Sequence, residues 1–212
     1  MGEFKISDKS KAPGLQAIAK ACKNLYPGEK QPFEHFNVLV PWRMGGNDPL
    51  DIIDIFDAGD YYHFVTYGLT ELYEKETKDP EYSGFGFELT VKLKKEFIKK
   101  DEEAELRCMA GILQAIARMS YEHGEIFGPN EFIYSGSTKG LNLDKNSLIT
   151  GFVMKEDALG TIETKHGKVQ FVQLVGATDR ELCAIRDGKI SVEKLLQTLK
   201  DDVTDYSRKS ML

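Results

Sequence analysis

Residues 83–93, Ser-Gly-Phe-Gly-Phe-Glu-Leu-Thr-Val-Lys-Leu, constrain the fold more than any other stretch of the chain. Phe85, Phe87, Leu89, Val91 and Leu93 alternate with Gly86, Glu88, Thr90 and Lys92. A large apolar residue at every second position, rich in aromatic and β-branched types, specifies a half-buried central strand. Its apolar face needs a cover. Gly84 and Gly86, lying among the aromatics, point to a bend or to close approach of another backbone. Tyr61–Tyr67 reads as a second strand, and 51–56 as its hairpin partner across the Asp57-Ala58-Gly59-Asp60 turn.

The cover is found downstream. Leu106, Met109, Ile112, Leu113, Ile116 and Ala117 form one stripe at helical spacing. Asp101, Glu102 and Glu103 place negative charge at the helix N-terminus, where the dipole favours it, and Gly124 marks the end. Lys94, Lys95, Lys99 and Lys100 just before it read as a solvated connection rather than an anion site. Upstream, Leu15, Ile18, Ala19, Cys22 and Leu25 outline a first helix that stops before Pro27-Gly28. A short strand covers 36–40, and a polar loop carrying Pro80 covers 74–82. The second half is β-rich, with strands at 131–134, 148–154, 161–164 and 168–175. The last two form a hairpin about Lys165-His166-Gly167, with His166 facing solvent. Thr178-Asp179-Arg180-Glu181 is a capping box opening a short helix, and Ser191 caps a last one. The expectation is one α/β (α+β) domain, a mixed, largely antiparallel sheet covered by helices, over residues 14–205. Residues 1–13 form a flexible N-terminus and 206–212 a polar C-terminal tail.

Charge and cysteine usage narrow the function classes. Lys and Arg number 28 against 34 Asp and Glu, a formal net charge of −6. That disfavours direct nucleic-acid binding and suits a basic partner. The three cysteines lie far apart with no C-x-x-C, a pattern of reduced core residues in a cytoplasmic protein. There is no apolar leader at the N-terminus and no run approaching the ~20 apolar residues of a membrane span, so no membrane association is expected.

No catalytic or cofactor constellation emerges. The Gly84-Phe85-Gly86 run begins a strand rather than opening a helix and has Leu89 where a dinucleotide loop needs its third glycine. Gly45-Gly46 lacks the Lys and hydroxyl of a phosphate loop. His35, His63, His123 and His166 show no metal-ligand spacing, so neither metal nor cofactor is expected. His63 reads as a packed cross-strand residue. The acidic pairs Asp51 with Asp54 and Asp57 with Asp60 read as solvent-face or turn residues rather than acid–base dyads.

Several segments in order resemble the N-terminal domain of the Suppressor of fused family. They are Leu25-Tyr26-Pro27; Gly45-Gly46-Asn47-Asp48-Pro49-Leu50-Asp51; Tyr67-Gly68-Leu69-Thr70-Glu71-Leu72-Tyr73; residues 83–90; residues 167–176; and Thr178-Asp179-Arg180-Glu181-Leu182. The resemblance spans about residues 14–205, and its most specific parts are the Tyr-Gly-Leu-Thr-Glu-Leu-Tyr and Ser-Gly-Phe-Gly-Phe-Glu-Leu-Thr runs. It implies an α/β fold without enzymatic activity. Animal members bind a zinc-finger transcription factor whose peptide adds as a strand between two domains. Two of their peptide-facing positions, a tyrosine and an aspartate, correspond to Met119 and Glu131 here. Short single-domain bacterial relatives, similar to this chain in size, are regarded as immunity proteins or antitoxins. The implied function is therefore a protein-binding domain that neutralises a cognate toxin, a basic protein such as a nuclease. The alternatives are a scaffold that sequesters an endogenous regulator by strand addition and an enzyme of unrecognised type.

The expected partner site is the strand at 131–134 with its acidic approach. Phe132 and Tyr134 share one face as aromatic anchors, while Glu122, Glu125 and Glu131 would steer a basic partner. Whether this strand is a free edge or lies inside the sheet is open from the residues alone.

Overall fold

The 83–93 segment is the body of a longer strand, β4 (Tyr82–Lys94), at the centre of a seven-stranded sheet. The computed structural model describes residues 12–29, 31–98, 101–199 and 201–212. The other strands are β1 (Glu34–Asn37), β2 (Ile52–Asp57), β3 (Tyr61–Tyr67), β5 (Phe132–Ile133), β6 (Ile149–Thr164) and β7 (Gly167–Thr178). Their order is β1-β2-β3-β4-β7-β6-β5, antiparallel at every junction except β4–β7, which is parallel. Among the described residues five α-helices complete the α+β domain: α1 (Pro13–Leu25), α2 (Lys95–Ile98), α3 (Glu102–His123), α4 (Asp179–Arg186) and α5 (Val192–Thr198).

The expected cover is in place. Phe87, Leu89, Val91 and Leu93 share one core cluster with Leu106, Met109, Leu113 and Ile116 of α3. Glu102, Glu103 and Glu105 fill the first turn of α3, and Gly124 ends it in a left-handed conformation, its N–H reaching the Ser120 carbonyl. The two faces of β4 differ from expectation, however. Glu88 and Thr90 are fully buried and Lys92 nearly so. The back of the sheet is covered too, by α1 through Ile18 and Cys22 against Phe56, Val65 and Phe171, and by α4 and α5 through Leu182, Val192 and Leu195. Alternation in β4 therefore reports a polar face, not a solvated one.

Smaller departures have local causes. Residues 149–164 form one strand rather than two, because a bulge against β7 between Glu156 and Thr161 absorbs the extra residues. β1 ends at Asn37, and Leu39, expected within it, is fully exposed. His166 is buried rather than solvent-facing, with Nε2 placed 3.1 Å from the Tyr73 carbonyl oxygen. Most of the N-terminal segment read as flexible lies outside the described residues, but Ala12 is buried and Pro13 opens α1. Lys99 and Lys100 also lie outside them, while Lys94 and Lys95 pair with Asp205 and Asp57.

Residues 201–212 are packed onto the body rather than trailing from it. Parallel β4 and β7 part beyond Val91 and Leu174, and Thr204 enters the gap. Its N–H donates to the Lys92 carbonyl at 2.7 Å, its carbonyl accepts from Lys94 N–H at 3.0 Å, and its hydroxyl accepts from Gly176 N–H at 2.9 Å. Asp202 joins Lys92 and Lys155, each at 2.9 Å. Arg208 forks onto the buried Glu181 carboxylate at 2.6 and 2.8 Å.

Two substitutions test this packing. Phe87→Ala should lower the unfolding free energy by ~3–5 kcal/mol, read from the urea midpoint, because Phe87 is 2% exposed. Arg208→Ala should cost on the order of 3 kcal/mol by stranding Glu181 without its cation. An unmoved midpoint in either case would contradict the burial described.

Candidate functional site

The strand at 131–134 is β5, and it lies at the sheet edge: it pairs with β6 through Phe132↔Val153 and Ile133↔Phe152, and no further strand joins its outer side among the described residues. The two aromatics are not free anchors. Phe132 and Tyr134 are half-buried against the α4–α5 cluster, and the Tyr134 hydroxyl donates to the Asp179 carboxylate and lies 3.4 Å from Cys183 Sγ. Ile133 faces the opposite cluster. The acids follow the connection from α3 to β5. Glu122 is exposed and 3.9 Å from Arg118, Glu125 is exposed, and Glu131 is exposed and accepts a hydrogen bond from Gly128 N–H at 2.9 Å. Thus a short open edge, its own aromatics turned inward, adjoins an acidic approach.

A second concentration of unusual residues has no counterpart among the sites expected from the sequence. The segments 45–51, 67–73 and 83–90 converge around one cavity beside the last turn of α3. Glu88 lies beneath it with no exposure. Its carboxylate accepts from the hydroxyls of Thr66 and Thr70 at 2.7 Å each and from the backbone N–H groups of Gly68 and Thr70 at 3.0 Å each. Those donors fix the 68–73 loop. Tyr121 donates its hydroxyl to the Gly68 carbonyl, Phe85 N–H reaches Leu69 O, and Gly14 N–H of α1 reaches Leu72 O. Gly84, at φ +55°, allows this approach: a Cβ there would stand 2.7 Å from the Leu69 carbonyl oxygen. Glu71 is satisfied in the same way. Burial acts to raise its pKa, but the N–H groups of Thr77, Glu76 and Gly84 and the Lys75 ammonium hold it down at about 2. The one sequence signal for Glu88 was a carboxylate at the middle of the most specific motif.

A third group is chemical in type but sealed. Tyr26 hydroxyl, His63 and Asp157 form a chain, 2.7 Å from oxygen to Nδ1 and 3.1 Å from Nε2 to carboxylate, and Thr90 donates to the same Asp157 oxygen at 2.9 Å. The bulge in β6 aims Asp157 inward. Burial works to raise Asp157, but His63 and the Leu159 N–H outweigh it and hold it below the usual carboxylate range. His63 is thus the packed cross-strand residue expected of it. Beside it, Asp54 bridges His35 and the Tyr67 hydroxyl, the latter at 2.8 Å, and is buried rather than solvent-facing. The side chains of His63 and Asp157 are wholly inaccessible, so no substrate can reach this pair. Among the described residues, no three His, Cys, Asp or Glu side chains converge as a metal site would require, and no helix is long and apolar enough to cross a membrane.

Glu88 yields a pH prediction. Burial pushes it up to about 7 against the pull of its four donors. The folded value lies above the ordinary one, so its stabilising contribution is complete below about pH 4.5 and is lost as pH rises through 7. Glu88→Gln removes that titration. The variant should gain stability over wild type between pH 5 and pH 8 by on the order of 3 kcal/mol, compared by urea unfolding at both pH values. A constant difference would show that Glu88 is not the titrating group.

Comparison with known proteins fits this geometry. The family model described as Suppressor of fused protein (SUFU) matches residues 46–209. Human and mouse proteins named Suppressor of fused homolog are each 31% identical over 80% of this chain and 36% of their own length, so the chain spans about a third of these relatives. The crystal structure of Drosophila Suppressor of Fused superposes with a TM-score of 0.80 at 26% identity, covering 95% of this chain and 52% of that one. A structure described as the Sufu–Fu complex gives 0.78 at 28% identity, covering 94% and 92%. The matched region holds the 67–73 loop, β4 with Glu88, and both C-terminal helices: the chain belongs to the Suppressor of fused family.

Proposed function

We propose that this domain is a non-enzymatic, cytoplasmic protein-binding module that neutralises a basic protein toxin, such as a nuclease, in the manner of an immunity protein. The observation that carries the reading is the open edge of β5 beside the exposed carboxylates Glu122, Glu125 and Glu131. An unpaired strand edge offers backbone donors and acceptors to an extended partner segment. A toxin that holds nucleic-acid phosphates must be basic, and the net charge of −6 favours encounter with such a protein. A second reading, sequestration of an endogenous regulator, draws support from the similarity to the Sufu–Fu complex structure.

The test is co-expression with the product of a neighbouring toxin gene, followed by pull-down and rate measurements. The Glu122→Lys, Glu125→Lys, Glu131→Lys triple variant should fold normally and associate ~10-fold or more slowly at low salt. The deficit should shrink as the Debye length falls to ~8 Å at physiological ionic strength. An unchanged association rate would overturn the site. A partner without toxic activity would replace the toxin reading with sequestration.

A further inference from the structure

The cavity above Glu88 has a volume of about 320 Å³, within the range of ~300–1,000 Å³ typical of ligand sites, and the β5 edge makes no use of it. Its walls are aromatic. The rings of Trp42 and Tyr121 lie 5.4 Å apart, those of Phe85 and Tyr121 5.1 Å apart edge-on, and Tyr73 closes another side. Its acids are Asp51, Glu71, Glu74 and Glu76, against Arg43 as the cation among its lining residues. Glu71 is consumed by its own loop. Asp51 is half-buried, with the Tyr73 hydroxyl donating to its carboxylate and the Arg43 guanidinium nearby, and has no cation within ion-pair distance among the described residues.

Such a lining selects its occupant by charge. Carboxylates around a partly desolvated space repel phosphates and other anions. Aromatic faces attract cations through the ring quadrupole, and a flat guanidinium stacks on them better than a compact ammonium. The protein already shows this pairing: the Arg43 guanidinium lies 4.2 Å from the centre of the Tyr73 ring, and that of Arg118 lies 5.5 Å from the Trp42 ring. The walls come from fixed elements, because Glu88 and Tyr121 hold the 68–73 loop, so the site is formed before any ligand arrives.

We propose that this cavity receives an arginine side chain of the protein partner, its guanidinium laid against the aromatic wall that Trp42 and Tyr121 form together and paired with Asp51. The proposal rests on the reading above only in taking the arginine from a basic protein.

Trp42 is the single tryptophan of the chain, so its emission and its indole N–H resonance report on the cavity directly. The probe is the blocked tripeptide Gly-Arg-Gly, compared with Gly-Lys-Gly and with uncharged Gly-citrulline-Gly. The arginine peptide should give a saturable change, the lysine peptide a response at least about fivefold weaker, and the citrulline peptide none. Asp51→Asn should weaken the arginine peptide at least about fivefold with the melting temperature retained, and exposed Glu74→Gln should weaken it less. No saturable change with the arginine peptide, equal binding of citrulline, lysine bound as well as arginine, or indifference to Asp51→Asn would each overturn the proposal. If Asp51→Asn does not fold, Glu74→Gln and the citrulline comparison decide. The titration needs no toxin, so its failure leaves the inhibitor reading standing, and failure to find a toxin leaves the titration valid.

Discussion

A carboxylate shut away from water must be surrounded by donors, and that requirement organises the middle of this domain. Glu88 draws the hydroxyls of Thr66 and Thr70 and two backbone N–H groups into one point. The loop held there in turn receives the N-terminus of α1, the Phe85 N–H of β4 and the Tyr121 hydroxyl of α3. Three elements distant in sequence thus meet on a single turn whose shape is set by a buried carboxyl group. An unpaired buried carboxylate would cost several kcal/mol, so alternative loop conformations that withdraw donors are strongly disfavoured. This is the physical content of the motifs in residues 67–73 and 83–90: they are two halves of one hydrogen-bonding arrangement.

The back of the sheet repeats the pattern with other groups. Asp157 is directed inward by a bulge to meet His63 and Thr90, and Asp54 is met by His35 and Tyr67. Lys92 reaches Asp202. Asp157, Asp54 and Lys92 each take a partner from a different element, which makes the register of the strands specific as well as stable. A slip of one residue would turn Glu88, Thr90 and Lys92 into the apolar layer beneath α3.

What could be read from the residues alone follows the same division. Periodicity found β4, α3, the β2–β3 hairpin and the two capped C-terminal helices, because each of those signals is local. It missed the burial of Glu88, Asp54 and His166, whose partners lie 18, 13 and 93 residues away. A polar residue with a distant partner looks like a surface residue until the fold is known. The candidate sites divide likewise. The residues of β5 were identifiable, but its place at the edge depends on strand order, and the inward packing of Tyr134 depends on α4. The aromatic cavity draws Trp42, Tyr73, Phe85 and Tyr121 from four separate segments, and no spacing rule connects them.

Thr204 carries a consequence for how the molecule is made. The seam between β4 and β7 joins strands separated by more than seventy residues, and Thr204 fills its open end from farther along still. During synthesis the N-terminal strands can pair early as hairpins, but the ends of β4 and β7 stay short of partners until residues 202–208 have left the ribosome. Until then the Lys92 carbonyl, the Lys94 N–H, the Gly176 N–H and the Glu181 carboxylate lack the groups that satisfy them in the finished fold. The nascent domain therefore passes through a long interval with an unpaired parallel seam, the kind of exposed edge that recruits chaperones or other strands.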